Sequence, residues 1–188
     1  MKTTHLLFTS ALLIAVIFAS CKKDKNESDG SKTKPKASLT FTVNGPGFNN
    51  KTFTLTGLDA SFGNEGLFFT KMGYSQLAVS NQTEEASSNT GILLQFDGQA
   101  TGTQKAGTSF KNPKGNNNPG KVTVFITLPQ NNSSITYSSM AGGTLNITKY
   151  GAVGETIEGD FTVNLASNLK VTNGHFVVPR TDDDTISN

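Results

Sequence analysis

Four residues in this sequence have the types and spacing to do chemistry: Cys21, His175, Glu158 and Asp160. Cys21 is the single cysteine, so a disulfide within the chain and a cysteine-built metal site are both ruled out. It follows Leu6–Ser20, an uncharged run that comes after Lys2 and ends on the small pair Ala19-Ser20. A positive start, a short apolar stretch and small residues before a cut are the layout of a signal peptide. The run falls short of the roughly 20 apolar residues that span a bilayer core, so cleavage is expected rather than a retained helix. Residues 1–20 are therefore expected to be removed, leaving Cys21 as a new N-terminus with an acylated thiol.

His5 would leave with that segment, making His175 the histidine on which any imidazole chemistry of the mature chain depends. Its neighbours Asn173, Gly174 and Phe176 place it at a strand edge or turn, where a structural or solvent-exposed role is expected. Glu158 and Asp160 lie two apart on the outward side of one strand, with Glu155 nearby. That spacing sets two carboxylates about 6.5–7 Å apart, overlapping the separations used in glycoside hydrolysis. Such enzymes also need a cleft that raises one carboxyl pKa, and nothing in the sequence points to one. A solvated face is the expectation, as it is for Glu84-Glu85 in the polar stretch Asn81–Thr90.

The remaining motifs fail on inspection. Gly102–Ser109 imitates a phosphate loop but lacks a lysine after the second glycine and has no helix behind it. Asp182–Asp184 has neither the glycine nor the bidentate glutamate of a calcium loop. There is no GxSxG, HExxH or CxxC. Tryptophan is absent, and the tyrosines are Tyr74, Tyr137 and Tyr150, which offers little for stacking on sugars. Most phenylalanines fall at inward positions, while the adjacent Phe68 and Phe69 cannot both do so, leaving them as a candidate contact surface. No catalytic residue, cofactor site or metal site is expected, and no cofactor.

The elements that must position these residues are strands. From residue 38 apolar side chains recur with period two: Leu39, Phe41, Val43; Phe53, Leu55; Ile92, Leu94, Phe96; Val122, Val124, Ile126, Leu128; Leu145, Ile147; and Ile157, Phe161, Val163, Leu165. Thr, Val, Phe and Ile dominate these runs and suit a half-buried pleated surface. Turns fall at Asn44–Gly47, Asp97-Gly98, Asn116–Gly120, Gly151–Gly154 and Asn173-Gly174. Phe125 lies on the opposite face of its strand from Val124 and Ile126 and is expected to meet a neighbour there. The spacing predicts a hairpin of 144–150 with 155–165, and a last strand over 169–178 that changes parity between Val171 and Phe176 through a bulge or tight turn. The fold class expected is all-β: a single antiparallel sandwich or barrel-like domain.

Charge divides the chain. Residues 22–37 carry Lys22, Lys23, Lys25, Lys32, Lys34 and Lys36 against Asp24, Glu27 and Asp29, and contain no large apolar residue, as expected of a disordered tether. Residues 38–180 are nearly neutral and form the expected domain, and 181–188 an acidic frayed tail. A neutral domain has no electrostatic footprint for nucleic acid.

The start Ser20-Cys21-Lys22-Lys23-Asp24 resembles lipoproteins of the Bacteroidota. The blocks 143–150, 157–161 and 171–176 are similar to the C-terminal half of a lipoprotein family of that phylum, and Phe41-Thr42-Val43-Asn44-Gly45 to its opening strand. The resemblance implies an envelope-anchored β-domain and no activity. Lys22 after the acylated cysteine implies the outer membrane, and the acidic residues that follow fit a surface-facing as well as a periplasmic orientation. Three functions stay open. The first is a non-enzymatic domain that binds or scaffolds a protein or glycan partner while held to the membrane by Cys21. The second is a calycin-like barrel with a small apolar ligand inside. The third is a hydrolase in which His175 meets Glu158 or Asp160.

Overall fold

In the computed structural model the described residues are 34–81, 89–106 and 121–184. The expected signal segment, Cys21, Glu84-Glu85, residues 107–109 of the phosphate-loop imitation and tail residues 185–188 lie outside them. Within the described residues the alternating runs become ten strands: β1 (Ala37–Gly45), β2 (Phe48–Leu58), β3 (Gly66–Phe69), β4 (Tyr74–Asn81), β5 (Thr90–Asp97), β6 (Gly102–Ala106), β7 (Lys121–Gln130), β8 (Ser133–Tyr150), β9 (Thr156–Leu165) and β10 (Leu169–Asp184). The fold is all-β.

The strands close on themselves. Hydrogen-bonded neighbours run β10-β3-β4-β5-β7-β8-β9 and back to β10, while β1 and β2 extend outward from β10 and β6 lies against β7 and β8. Two faces result. Sheet A contains β2, β1, β10, β9, β8 and β6, and sheet B contains β3, β4, β5 and β7 with the far ends of β8 and β10. Both long strands therefore belong to both sheets, and the domain is a sandwich whose two layers share strands, as in a flattened barrel. Most ladders are antiparallel, as the alternation indicates, but β10 pairs parallel with β3 and β6 with β7.

Each shared strand turns its corner by a local device. In β8 the register breaks between Ser139 and Gly143, where Gly142 and Gly143 have φ of 99° and 117°. A Cβ on Gly143 would lie 2.3 Å from the Thr162 carbonyl oxygen, so only glycine fits that bend. Where β8 leaves β7, the Ser139 hydroxyl accepts the Val124 N–H at 3.1 Å. In β10 the corner is Arg180, which is buried. Its Nη1 donates to the Gly151 carbonyl at 2.8 Å, its Nη2 to the Asp183 carboxylate, and its guanidinium lies 5.0 Å from the centre of the Tyr150 ring. The Ser75 hydroxyl gives its one proton to the Gly98 carbonyl, so the Tyr150 hydroxyl donates to Ser75 Oγ, both at 2.6 Å. Burial raises the Tyr150 pKa, against the lowering effect of the Arg180 charge. This network ties the 151–154 hairpin, β4 and β10 together.

Inward side chains of both sheets form one core. Phe41 stacks on Phe53 and meets Phe161, which in turn meets Phe176. Leu77, Val79, Leu94, Phe96, Val124, Ile126 and Leu128 from sheet B are buried in the same cluster. Phe125 is half-buried on the outer face of sheet B, in one row with Ala78 and Leu93. One boundary moves. The expected acidic tail begins at residue 181, but β10 runs on to Asp184, pairing Asp182 with Leu67 and Asp183 with Phe68. Arg180 neutralises Asp183 there, and the Thr181 hydroxyl bonds Glu65.

Candidate functional site

The site lies on the outer face of sheet A, and a bulge creates it. Opposite β9, Val171 pairs with Val163 and Gly174 with Phe161, so β10 has one residue more than its partner across that interval. The extra residue is accommodated at Asn173, whose φ is 52°. Strand side chains alternate with period two, so one inserted residue exchanges the two faces for everything beyond it. Val171 and Phe176 can then both be buried, and His175 faces solvent directly opposite Asp160.

Two phenylalanines brace the bulge from below. Phe161 lies over Gly174 and Phe176 over Gly159, each ring filling the space beside a glycine on the neighbouring strand. Above them His175 Nδ1 and Asp160 Oδ1 are 2.8 Å apart. An ionised carboxylate only accepts, so Nδ1–H donates and Nε2 is left as the free ring nitrogen. The two side chains are 53% and 57% exposed, so water screens the pair and its hydrogen bond orients the imidazole more than it stabilises the fold.

Around the pair is an open groove of about 460 Å³ lined by Thr144, Asn146, Asp160, Phe161, Thr162, Asn173, Gly174 and His175. The lining mixes hydroxyl, amide, imidazole and carboxylate groups. Asn146 Oδ1 accepts a hydrogen bond from the Thr103 hydroxyl at 3.1 Å, and the Thr144 and Thr162 hydroxyls are 3.4 Å apart.

The structure brings His175 and Asp160 into hydrogen-bond contact, while Glu158 bonds other partners. Glu158 lies beside Lys149 and Thr156, with its Oε1 3.2 Å from the Lys149 ammonium and 2.6 Å from the Thr156 hydroxyl. Those hydrogen bonds, that from Thr156 foremost, lower the Glu158 pKa. A carboxyl held ionised in this way is the opposite of the raised acid that glycoside hydrolysis needs. Gly102–Ala106 is strand β6 rather than a phosphate cradle. Phe69 stacks on Tyr74 at 4.8 Å, and Phe68 and Phe69 are both half-buried. Among the described residues no group of three or more His, Cys, Asp or Glu is placed to hold a metal ion.

Sequence reasoning does not single out Asn146 or Thr103, and takes Asn173 only as a turn residue. Asn146 alternates with the buried Leu145 and Ile147, so its outward direction is readable, but its neighbours across the sheet depend on register. No protein-family model matches this chain, and no curated protein or solved structure matches it either.

Proposed function

We propose that this chain is a lipid-anchored β-domain of the bacterial cell envelope, held at the outer membrane through Cys21, and that it acts non-enzymatically by binding a partner on the outer face of sheet A. The supporting observation is the groove around His175 and Asp160, an indentation in a polar face, lined by side chains that both donate and accept hydrogen bonds. The signal-like segment ending at Cys21 supports the anchor.

The hydrolase reading also draws on the His175–Asp160 pair, since a carboxylate that orients an imidazole is part of many general-base systems. Exposure weighs against it. A pair more than half open to water works in a high dielectric, where neither proton transfer nor charge stabilisation gains from a dry site. For the calycin-like reading the closed ring of strands is favourable, but the Phe41–Phe161–Phe176 chain of ring contacts crosses the inner face of sheet A where a ligand would need space.

Two measurements test the proposal. Cys21→Ala is expected to abolish labelling by a fatty-acid probe and release the protein from membranes; continued membrane partitioning with label would refute the anchor. For the binding face, the His175 ring Hε1 resonance, assigned by its disappearance in His175→Asn, is expected to shift on addition of a bacterial envelope extract. The shift should vanish in Asn146→Arg, which fills the groove. An unmoved signal would refute binding there.

A further inference from the structure

The groove is the centre of a longer feature. Thr103 of β6 is in register with Asn146 of β8, Asn146 with Asp160 of β9, Asp160 with His175 of β10, His175 with Thr40 of β1, and Thr40 with Thr54 of β2. All six side chains are exposed or half-exposed, so one polar row crosses six adjacent strands. At about 4.8 Å between strands the row is about 24 Å long. Hydrogen bonds join its members in pairs: Thr103 to Asn146, His175 to Asp160 and, at 3.5 Å, Thr40 to Thr54. Each pair holds its side chains in place while the Asn146 amide N–H₂ group, the second Asp160 oxygen and His175 Nε2 keep hydrogen-bonding capacity to spare.

From this row, and resting on the binding reading above, we infer that the partner is a neutral linear glycan lying across the strands of sheet A. The groups in the row call for a ligand that donates and accepts hydrogen bonds along its whole length, as vicinal hydroxyls do. Lysine and arginine are absent from the row, which disfavours nucleic acids and other polyanions. A peptide strand would seek a sheet edge for main-chain pairing, whereas the row runs across the middle of a face. The row contains no Trp, Tyr or Phe to act as a stacking platform, so hydrogen bonds supply most of the affinity and length matters: each further strand crossed adds contacts.

The test titrates the purified protein with neutral hexasaccharides of glucose, xylose and mannose, their disaccharides, and polygalacturonate, following the His175 Hε1 resonance. At least one hexasaccharide is expected to shift it and to bind about tenfold more tightly than its disaccharide. Asn146→Ala is expected to weaken both. Thr54→Val, at the far end of the row, is expected to weaken the hexasaccharide alone. Equal binding of short and long sugars, an unaffected Thr54→Val, or preference for the charged polygalacturonate would overturn the neutral linear glycan. If the neutral sugars leave the resonance unmoved while envelope extract still moves it, the glycan falls and the binding face stands. If neither moves it, both fall.

Discussion

His175 faces Asp160 across the β9–β10 ladder, Nδ1 to Oδ1 at 2.8 Å, because a bulge in β10 absorbs one extra residue before it. If β10 kept Asn173 but ran as a regular strand, the alternation from Val171 would carry His175 into the core and push Phe176 to the surface; the bulge prevents this. Deleting Asn173 removes the extra residue, so Val171, Thr172 and Gly174 would face Val163, Thr162 and Phe161 in regular register and His175 would still meet Asp160. Thermal unfolding of the deletion is expected to keep its cooperative transition. Asn173→Gly, which tolerates the same φ of 52°, should shift stability by less than about 1 kcal/mol. A deletion variant without a cooperative transition would contradict the register argument.

Steric fit beneath the bulge gives a second prediction. A Cβ on Gly174 would lie 2.5 Å from Phe161 Cδ1 and Cε1. Gly174→Ala is expected to cost about 1–3 kcal/mol in chemical denaturation through overpacking. Adding Phe161→Leu should recover part of that loss, so the double-mutant cycle should give a coupling of the sign that signals relieved crowding. Additive costs would mean that Phe161 is not the obstacle.

Arg180 closes the corner of β10, and its replacement separates charge from shape. Arg180→Met removes the hydrogen bonds to Gly151 and Asp183 and should cost about 2 kcal/mol. Arg180→Lys should rescue little, because an ammonium cannot serve both acceptors while lying flat on Tyr150. Full rescue by lysine would show that charge alone suffices.

Two shifted groups act at opposite ends of the pH scale. Burial raises the Tyr150 pKa, so the folded state holds that proton more tightly than the unfolded chain. Its contribution to stability is complete below the ordinary tyrosine value of about 10 and is lost as pH rises from there through the raised value. Absorbance titration of the phenols should show a late phase, absent in Tyr150→Phe.

Glu158 has its pKa lowered by Thr156 and Lys149, so its small contribution is present above the ordinary glutamate range and disappears as pH falls through the lowered value. Glu158→Gln should lower stability slightly at neutral pH and leave the acid end nearly unchanged, so that the acid limb flattens. A steeper acid limb would contradict the assignment.

Much of this was readable along the chain. The alternation of Leu39, Phe41 and Val43, and of Val122 to Leu128, marks strands because every second side chain must leave water, and all of these residues are buried. The 151–154 hairpin and the parity change after Val171 were also legible, since both are local in sequence. The parallel pairing of β10 with β3 was not: Arg180 and Gly66 are far apart in sequence, and no local pattern names a partner strand. For the same reason the extension of β10 to Asp184 escaped notice, because three consecutive aspartates look solvated until Arg180 folds against one of them.

Sequence alone determined that the chain is all-β, which residues face inward, and that a short uncharged run precedes Cys21; each depends on neighbours a few positions apart. Tertiary structure alone decided that His175 meets Asp160 and that Thr103, Asn146, Thr40 and Thr54 fall into line with them. Register is a property of pairs of strands, fixed by how bulges and core side chains fit across the sheet, and a polar side chain acquires its partners only once that register is set.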